Sequence, residues 1–113
     1  MGARVNFVFK DNTTDTAVVL YSHWGADSWQ SDLAVAIRHA KVRQGDFSYF
    51  TRMVLSHLIK DELMQETGFG IYAVNPSDIG GIWDEVVIID LNKNTVNDQT
   101  FSSFLEQYAG VSV

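Results

Sequence analysis

Few residues of this 113-residue chain have types and spacings that could do chemistry. The densest group is Leu20-Tyr21-Ser22-His23-Trp24-Gly25. An apolar run ends there in a serine, a histidine and aromatic rings, just before a helix start at Asp27 to Gln30. Ser22 and His23 invite a nucleophile–base reading. Neighbours on a strand point to opposite faces, however, so the two cannot pair with each other. No Gly-x-Ser-x-Gly context surrounds any serine, and no catalytic residue is assigned. His23 reads most simply as a structural ring bonded to a helix end or a carboxylate. Its competing role is in a ligand or partner site walled by Tyr21, Trp24 and Trp29. Trp83, with Asp84 and Glu85 beside it, joins them as a candidate contact group.

The remaining constellations are weaker. His57 and Asp61 stand four apart on one helix face, as metal ligands often do, but two residues do not make a site. A local hydrogen bond or ion pair is the simpler account, and no metal or other cofactor is assigned. His39, near a basic helix end, reads as a surface residue favoured by the helix dipole. Gly68-Phe69-Gly70 and Gly80-Gly81 lead into strands rather than helix N-termini, so they are turn glycines and not phosphate loops. Asp84-Glu85 with Asp78 would do acid–base work only in a cleft that shifts one of their pKa values. Arg38, Lys41, Arg43, Arg52 and Lys60 fall within 23 residues holding one acid, with Tyr49 nearby for stacking. The acidic total and the lack of a helix-turn-helix or RNA-binding signature argue against nucleic acid as the partner.

The elements that must position these residues follow from periodicity. Val5, Phe7 and Phe9 alternate as in a strand with one strongly buried face, and Thr16 to Tyr21 is β-branched and apolar. Asp11-Asn12-Thr13-Thr14-Asp15 between them is a polar turn, so the two runs read as a hairpin. Asp27, with Gln30 in capping-box position, opens a helix whose Trp29, Leu33, Ile37 and Ala40 form one stripe; Gly45 ends it. Asp46 caps a second helix running to about Glu66. Its apolar residues cover more than one stripe, so it is either sandwiched in the core or shared with a second subunit. Gly70 to Val74 is a third strand, Asn75 to Asp78 a turn, and Val86 to Ile89 a strand apolar on both faces. A short helix after Asn97 or Asp98 carries Phe101, Phe104, Leu105 and Tyr108. The expected class is α+β, one domain over 1–113, in the order β-β-α-α-β-β-α. The expected sheet is mainly antiparallel and four-stranded, with the last helix on the side opposite the helical pair.

Composition bounds the rest. Hydrophobic residues are 46% of the chain and charged residues 19%, enough for one packed core. Zero cysteines remove disulfides, thiolate catalysis and thiolate metal sites, and fit a reducing cytoplasm. No apolar run reaches the ~20 residues of a membrane span. Arg4, Asn6 and Lys10 break up any signal peptide, and Asn6 stands where a myristoylation start wants Ser or Thr. Residues 1–60 carry seven Lys/Arg against five acids, and residues 61–113 one Lys against nine, giving +2 and −8. The acidic half reads most simply as a solubility feature; its competing roles are a face for a basic, nucleic-acid-handling partner and a cation site.

Three segments together carry a resemblance: Gly2-Ala3-Arg4-Val5-Asn6, Leu20-Tyr21-Ser22-His23-Trp24-Gly25 and Glu66-Thr67-Gly68-Phe69-Gly70-Ile71. The chain resembles a family of small proteins of phages, prophages and mostly actinobacterial genomes. That family has a Gly-x-Arg-x-Asn start and a Leu-Tyr-x-His-Trp-Gly-Gly signature. Ala26 stands where the second glycine of that signature is usual. The resemblance implies a setting in mobile genetic elements and assigns no activity. The expectation is therefore a non-enzymatic accessory protein of the host-cell cytoplasm that binds a host or phage protein. One version is an inhibitor of a host defence nuclease, in the manner of anti-CRISPR proteins, with tryptophans as hot spots. Self-association through the second helix is expected too. The alternative is a small ligand-binding or enzymatic domain built around Tyr21, His23, Trp24 and Trp29.

Overall fold

The computed structural model describes residues 3–12 and 15–110. Gly2 of the N-terminal pattern and Thr13-Thr14 of the first turn lie outside them. Strands β1 (Val5–Lys10) and β2 (Ala17–Ser22) pair antiparallel, with Phe7 opposite Leu20 and Val8 opposite Val19. Every residue from Val5 to Phe9 is buried, so β1 is covered on both faces rather than one.

A 3-10 turn over Gly25–Asp27 leads into helix α1 (Trp29–Ala40), whose N-cap is Ser28, not Asp27. Its stripe of Trp29, Leu33, Ile37 and Ala40 is buried as the spacing requires. Gly45 turns the chain at φ 98°, a conformation that strains L side chains. Helix α2 (Phe47–Ile59) then starts on Asp46, whose Oδ1 accepts from the Tyr49 N–H at 3.1 Å. Such a cap contributes about 1 kcal/mol. The helix stops at Ile59, well short of Glu66, and a 3-10 turn over Lys60–Glu62 follows. Its apolar excess is not sandwiched: only Phe50, Thr51 and Val54 are buried, while Met53, Leu55, Leu58 and Ile59 pack at the core margin.

The sheet differs from the four-stranded, mainly antiparallel one expected. It is mixed and six-stranded, in the order β3-β2-β1-β4-β5-β6. Strand β3 (Phe69–Val74) pairs antiparallel with β2, whereas β4 (Glu85–Asp90) pairs parallel with β1. The third and fourth strands therefore form no hairpin. The reason lies in the 3-10 segment Pro76–Gly81 between them. Its Ile79 packs with Val8, Ala17 and Val19 on the face away from the helices, carrying the chain across the sheet. That crossing lets β4, apolar on both sides, enter beside β1 and be covered twice: Val87 and Ile89 by the helices, Val86 and Ile88 by the second cluster.

Two short strands were not expected. β5 (Thr95–Val96) and β6 (Gln99–Thr100) are joined by Asn97-Asp98, both with positive φ (47° and 69°), as a type I′ hairpin turn demands. These residues therefore make a turn, and helix α3 (Phe101–Tyr108) is capped by Thr100, whose Oγ1 accepts from the Ser103 N–H. Helix α3 does not cover the opposite face. Phe101, Phe104 and Leu105 join Phe7, Leu33 and Phe50 in the main core, so all three helices share one side of the sheet. Helix α3 starts directly at the end of β6 and lies against α1 on that side. Among the described residues no helix is long and apolar enough to cross a membrane.

Candidate functional site

Strand direction decides where the candidate residues meet. β1 and β4 run together and β2 runs against them, so the start of β1, the start of β4 and the end of β2 form one row, Ser22–Val5–Glu85. Phe69, the first residue of β3, extends the row beyond Ser22. Tyr21, His23, Trp24, Trp83, Asp84 and Glu85 all flank it. Three segments far apart in sequence thus build one end of the sheet.

Tyr21 and His23, two apart, share the face away from the helices. The Tyr21 hydroxyl lies 2.8 Å from His23 Nδ1, and the edge of the His23 ring meets Trp24 at a centroid distance of 4.2 Å. The His23 N–H donates to the Gly68 carbonyl at 2.9 Å, which ties this corner to β3. His23 is therefore a positioned ring between a phenol and an indole. Ser22 points to the helix side, where it is buried, so the alternation of the strand separates it from His23. Gly25 is pressed against it: a Cβ on Gly25 would stand 2.6 Å from Ser22 Oγ and 3.3 Å from Val5 Cγ1. The glycine of the His-Trp-Gly segment is there for close packing.

Trp29 departs from its expected role as a pocket wall. It is buried, stacks on Phe104 at 6.0 Å, and its Nε1 donates to Glu85 Oε2 at 2.8 Å. The bond ties the start of α1 to the start of β4 and occupies the carboxylate that sequence offered for acid–base work. Trp24 and Trp83 behave oppositely, exposing 68% and 87% of their surface. Asp84, next to Trp83, takes a positive φ of 70°, which turns the chain sharply into β4.

Sequence reasoning missed the two residues that hold this end together. Asn6 is buried at the start of apolar β1, and its Nδ2 donates to the carbonyls of Trp83 (3.2 Å) and Glu85 (3.4 Å). Its Oδ1 accepts from the Tyr72 hydroxyl at 3.0 Å. Burial holds the Tyr72 phenol above its ordinary pKa. The available signal was an amide inside the run Val-Asn-Phe-Val-Phe, because a buried amide needs partners.

On the helix side of the same corner lies an open depression of about 210 Å³, lined by Phe7, Ser22, Trp24, Leu58 and Phe69 with Asp32 and Glu62 at its rim. A second one of about 350 Å³, sharing Asp32 and Leu58, is lined by Ser31, His57, Lys60 and Asp61. His57 does not use Asp61 as a metal partner would. Its ring faces His39 at 5.6 Å, and burial, then Lys60, His39 and Arg38, hold its pKa below 6.5 against the pull of Asp32. Among the described residues no group of three His, Cys, Asp or Glu side chains could hold a metal. The basic segment is split as well. Lys60 lies beside Ser31 and Asp32 at the start of α1, whereas Arg38, Lys41 and Arg43 lie at its end, with Arg43 over the Tyr49 ring at 4.8 Å. Chemically, the sheet end is a surface that presents rings and carboxylates, with the Tyr21 hydroxyl paired to His23 Nδ1 and Ser22 turned to the opposite face.

No family model, no curated protein and no solved structure matches the chain. The phage-type resemblance therefore rests on its residues alone.

Proposed function

We propose that this chain is a non-enzymatic accessory protein of phage type that binds another protein through the aromatic end of its sheet. The observation that carries the reading is the pair Trp24 and Trp83, both largely exposed at one end and set on a backbone fixed by Asn6 and Gly68. Exposed tryptophans on a rigid frame are the side chains that dominate protein interfaces. Asp27, Glu66, Asp84 and Glu85 flank this end, exposed, and among the described residues there Arg4 is the cation. An acidic, aromatic patch suits a basic groove, and a nucleic-acid-handling host protein such as a defence nuclease in the host cytoplasm offers one. The test is affinity capture from an actinobacterial lysate with wild type, Trp24→Ala and Trp83→Ala in parallel. A defined basic protein should bind wild type, and each substitution should weaken it about 30-fold, the loss of a hot spot. Capture unchanged by both substitutions, or insensitive to salt, would dispose of the reading.

The depression beside Trp24 supports a second reading, a site for a small ligand. Its apolar floor of Phe7, Leu58 and Phe69 under Asp32 and Glu62 suits a hydrophobic amine. Such a ligand should raise the melting temperature of wild type and not of Phe69→Ala.

A further inference from the structure

We infer that two copies of this chain pair through the outer edge of β3, in antiparallel register centred on Ile71. Strand β3 is the last strand on its side of the sheet. The His23 N–H bonded to the Gly68 carbonyl fixes which residues of β3 face β2. In an antiparallel ladder the backbone groups of alternate residues point the same way, so Gly68, Gly70, Tyr72 and Val74 face β2. The N–H and C=O groups of Phe69, Ile71 and Ala73 point outward.

Three outward residues with Ile71 in the middle are their own complement. A two-fold axis through Ile71 sets Ile71 opposite Ile71 of the second copy and Phe69 opposite its Ala73. Three such pairs exchange about six hydrogen bonds. On the other face Gly70 falls opposite Tyr72 of the second copy. Gly70 has nothing within 4 Å of where a Cβ would sit, and the Tyr72 ring is drawn inward by its bond to Asn6, so that face of the seam is open. Apolar surface follows the same axis: Ile71 is 61% exposed, and Leu63, 64% exposed, lines one depression with it on the helix side.

Charge and closure select a second copy as the occupant. The chain carries −6, so two copies repel unless they meet on a neutral strip, and residues 67–77 hold no charged side chain. β3 also lacks the lysine, proline or bulge with which edge strands avoid pairing. The opposite edge, β6, is only two residues long, so β3 has no partner there with which to build an open fibre. An isologous pair closes on itself. Ile59, the last residue of α2, and Leu63 lie beside this edge and would be extended by the same residues of the second copy.

The absence of cysteine gives a direct test. Ile71→Cys places a thiol opposite itself, at the ~5.5 Å Cα separation of a hydrogen-bonded pair, within disulfide range. Ala73→Cys stands about 13 Å from its own copy in the same register. The full chain is oxidised and run without reductant, and wild type and Ile71→Lys are sedimented at about 50 µM, a concentration that reads micromolar dimers. The expected results are a disulfide dimer for Ile71→Cys, monomer for Ala73→Cys, a wild-type dimer, and monomeric Ile71→Lys with unchanged circular dichroism. If Ile71→Lys loses its fold, the two cysteine variants decide. A monomeric wild type, equal cross-linking of both cysteines, or a folded Ile71→Lys that stays dimeric would overturn the inference.

Discussion

Gly25→Ala tests most directly what the His-Trp-Gly corner is for. The backbone of Gly25 has ordinary φ, so the cost of a side chain there is purely one of space. The added carbon would meet Ser22 Oγ at 2.6 Å, Ser22 Cβ at 3.2 Å and Val5 Cγ1 at 3.3 Å. Rotating the hydroxyl relieves only the first contact. Ser22 and Val5 are both buried within the central strands, so neither can retreat without shifting β1 or β2. Overpacking of this kind costs about 1–3 kcal/mol. For a chain of this length that lowers Tm by roughly 4–15 °C. Removing the oxygen should return part of the loss, so the double variant Ser22→Ala, Gly25→Ala should show a coupling of about 1 kcal/mol. Urea denaturation of the four proteins of the cycle measures it. A Gly25→Ala cost below about 0.5 kcal/mol, or strict additivity with Ser22→Ala, would refute the packing argument.

Two further outcomes follow from buried groups. Asn6→Ala strands the Trp83 carbonyl and the Tyr72 hydroxyl and should cost about 2 kcal/mol in urea. Asn6→Asp, which cannot donate to that carbonyl and buries a charge, should be most destabilising at neutral pH and recover in acid as it protonates. Equal stability of both variants to wild type would remove Asn6 from its role. His57 has a folded pKa below 6.5, so between that folded value and 6.5 the unfolded chain binds more protons. Its contribution to stability is complete above 6.5 and is lost as pH falls toward the folded value. In NMR titrations Lys60→Gln should raise the His57 midpoint and Asp32→Asn should lower it; a wild-type midpoint at or above 6.5 would contradict the assigned environment.

Sequence by itself determined the longer elements, though not their ends or the short strands β5 and β6. The alternation of Val5, Phe7 and Phe9, the Trp29–Leu33–Ile37–Ala40 stripe, the Asp46 cap and the doubly apolar Val86–Ile89 run all depend on neighbours a few residues away, and each is found in the structure. The Asn97-Asp98 turn is legible in principle, since Asn and Asp adopt positive φ more readily than other non-glycine residues, but the same residues also suit a helix N-cap. Tertiary structure decided the partners. Whether β4 paired with β3 or β1, and which side α3 covered, depended on how Ile79 and the helices divided the two faces of one sheet. The site followed the same rule. Tyr21, His23, Trp24 and Trp83 were picked out by residue type, yet nothing local could say that Trp29 would be buried against Glu85 or that Asn6 would hold Trp83. Those contacts span 56 and 77 residues, and they exist because a parallel β1–β4 pair brings the two strand starts side by side.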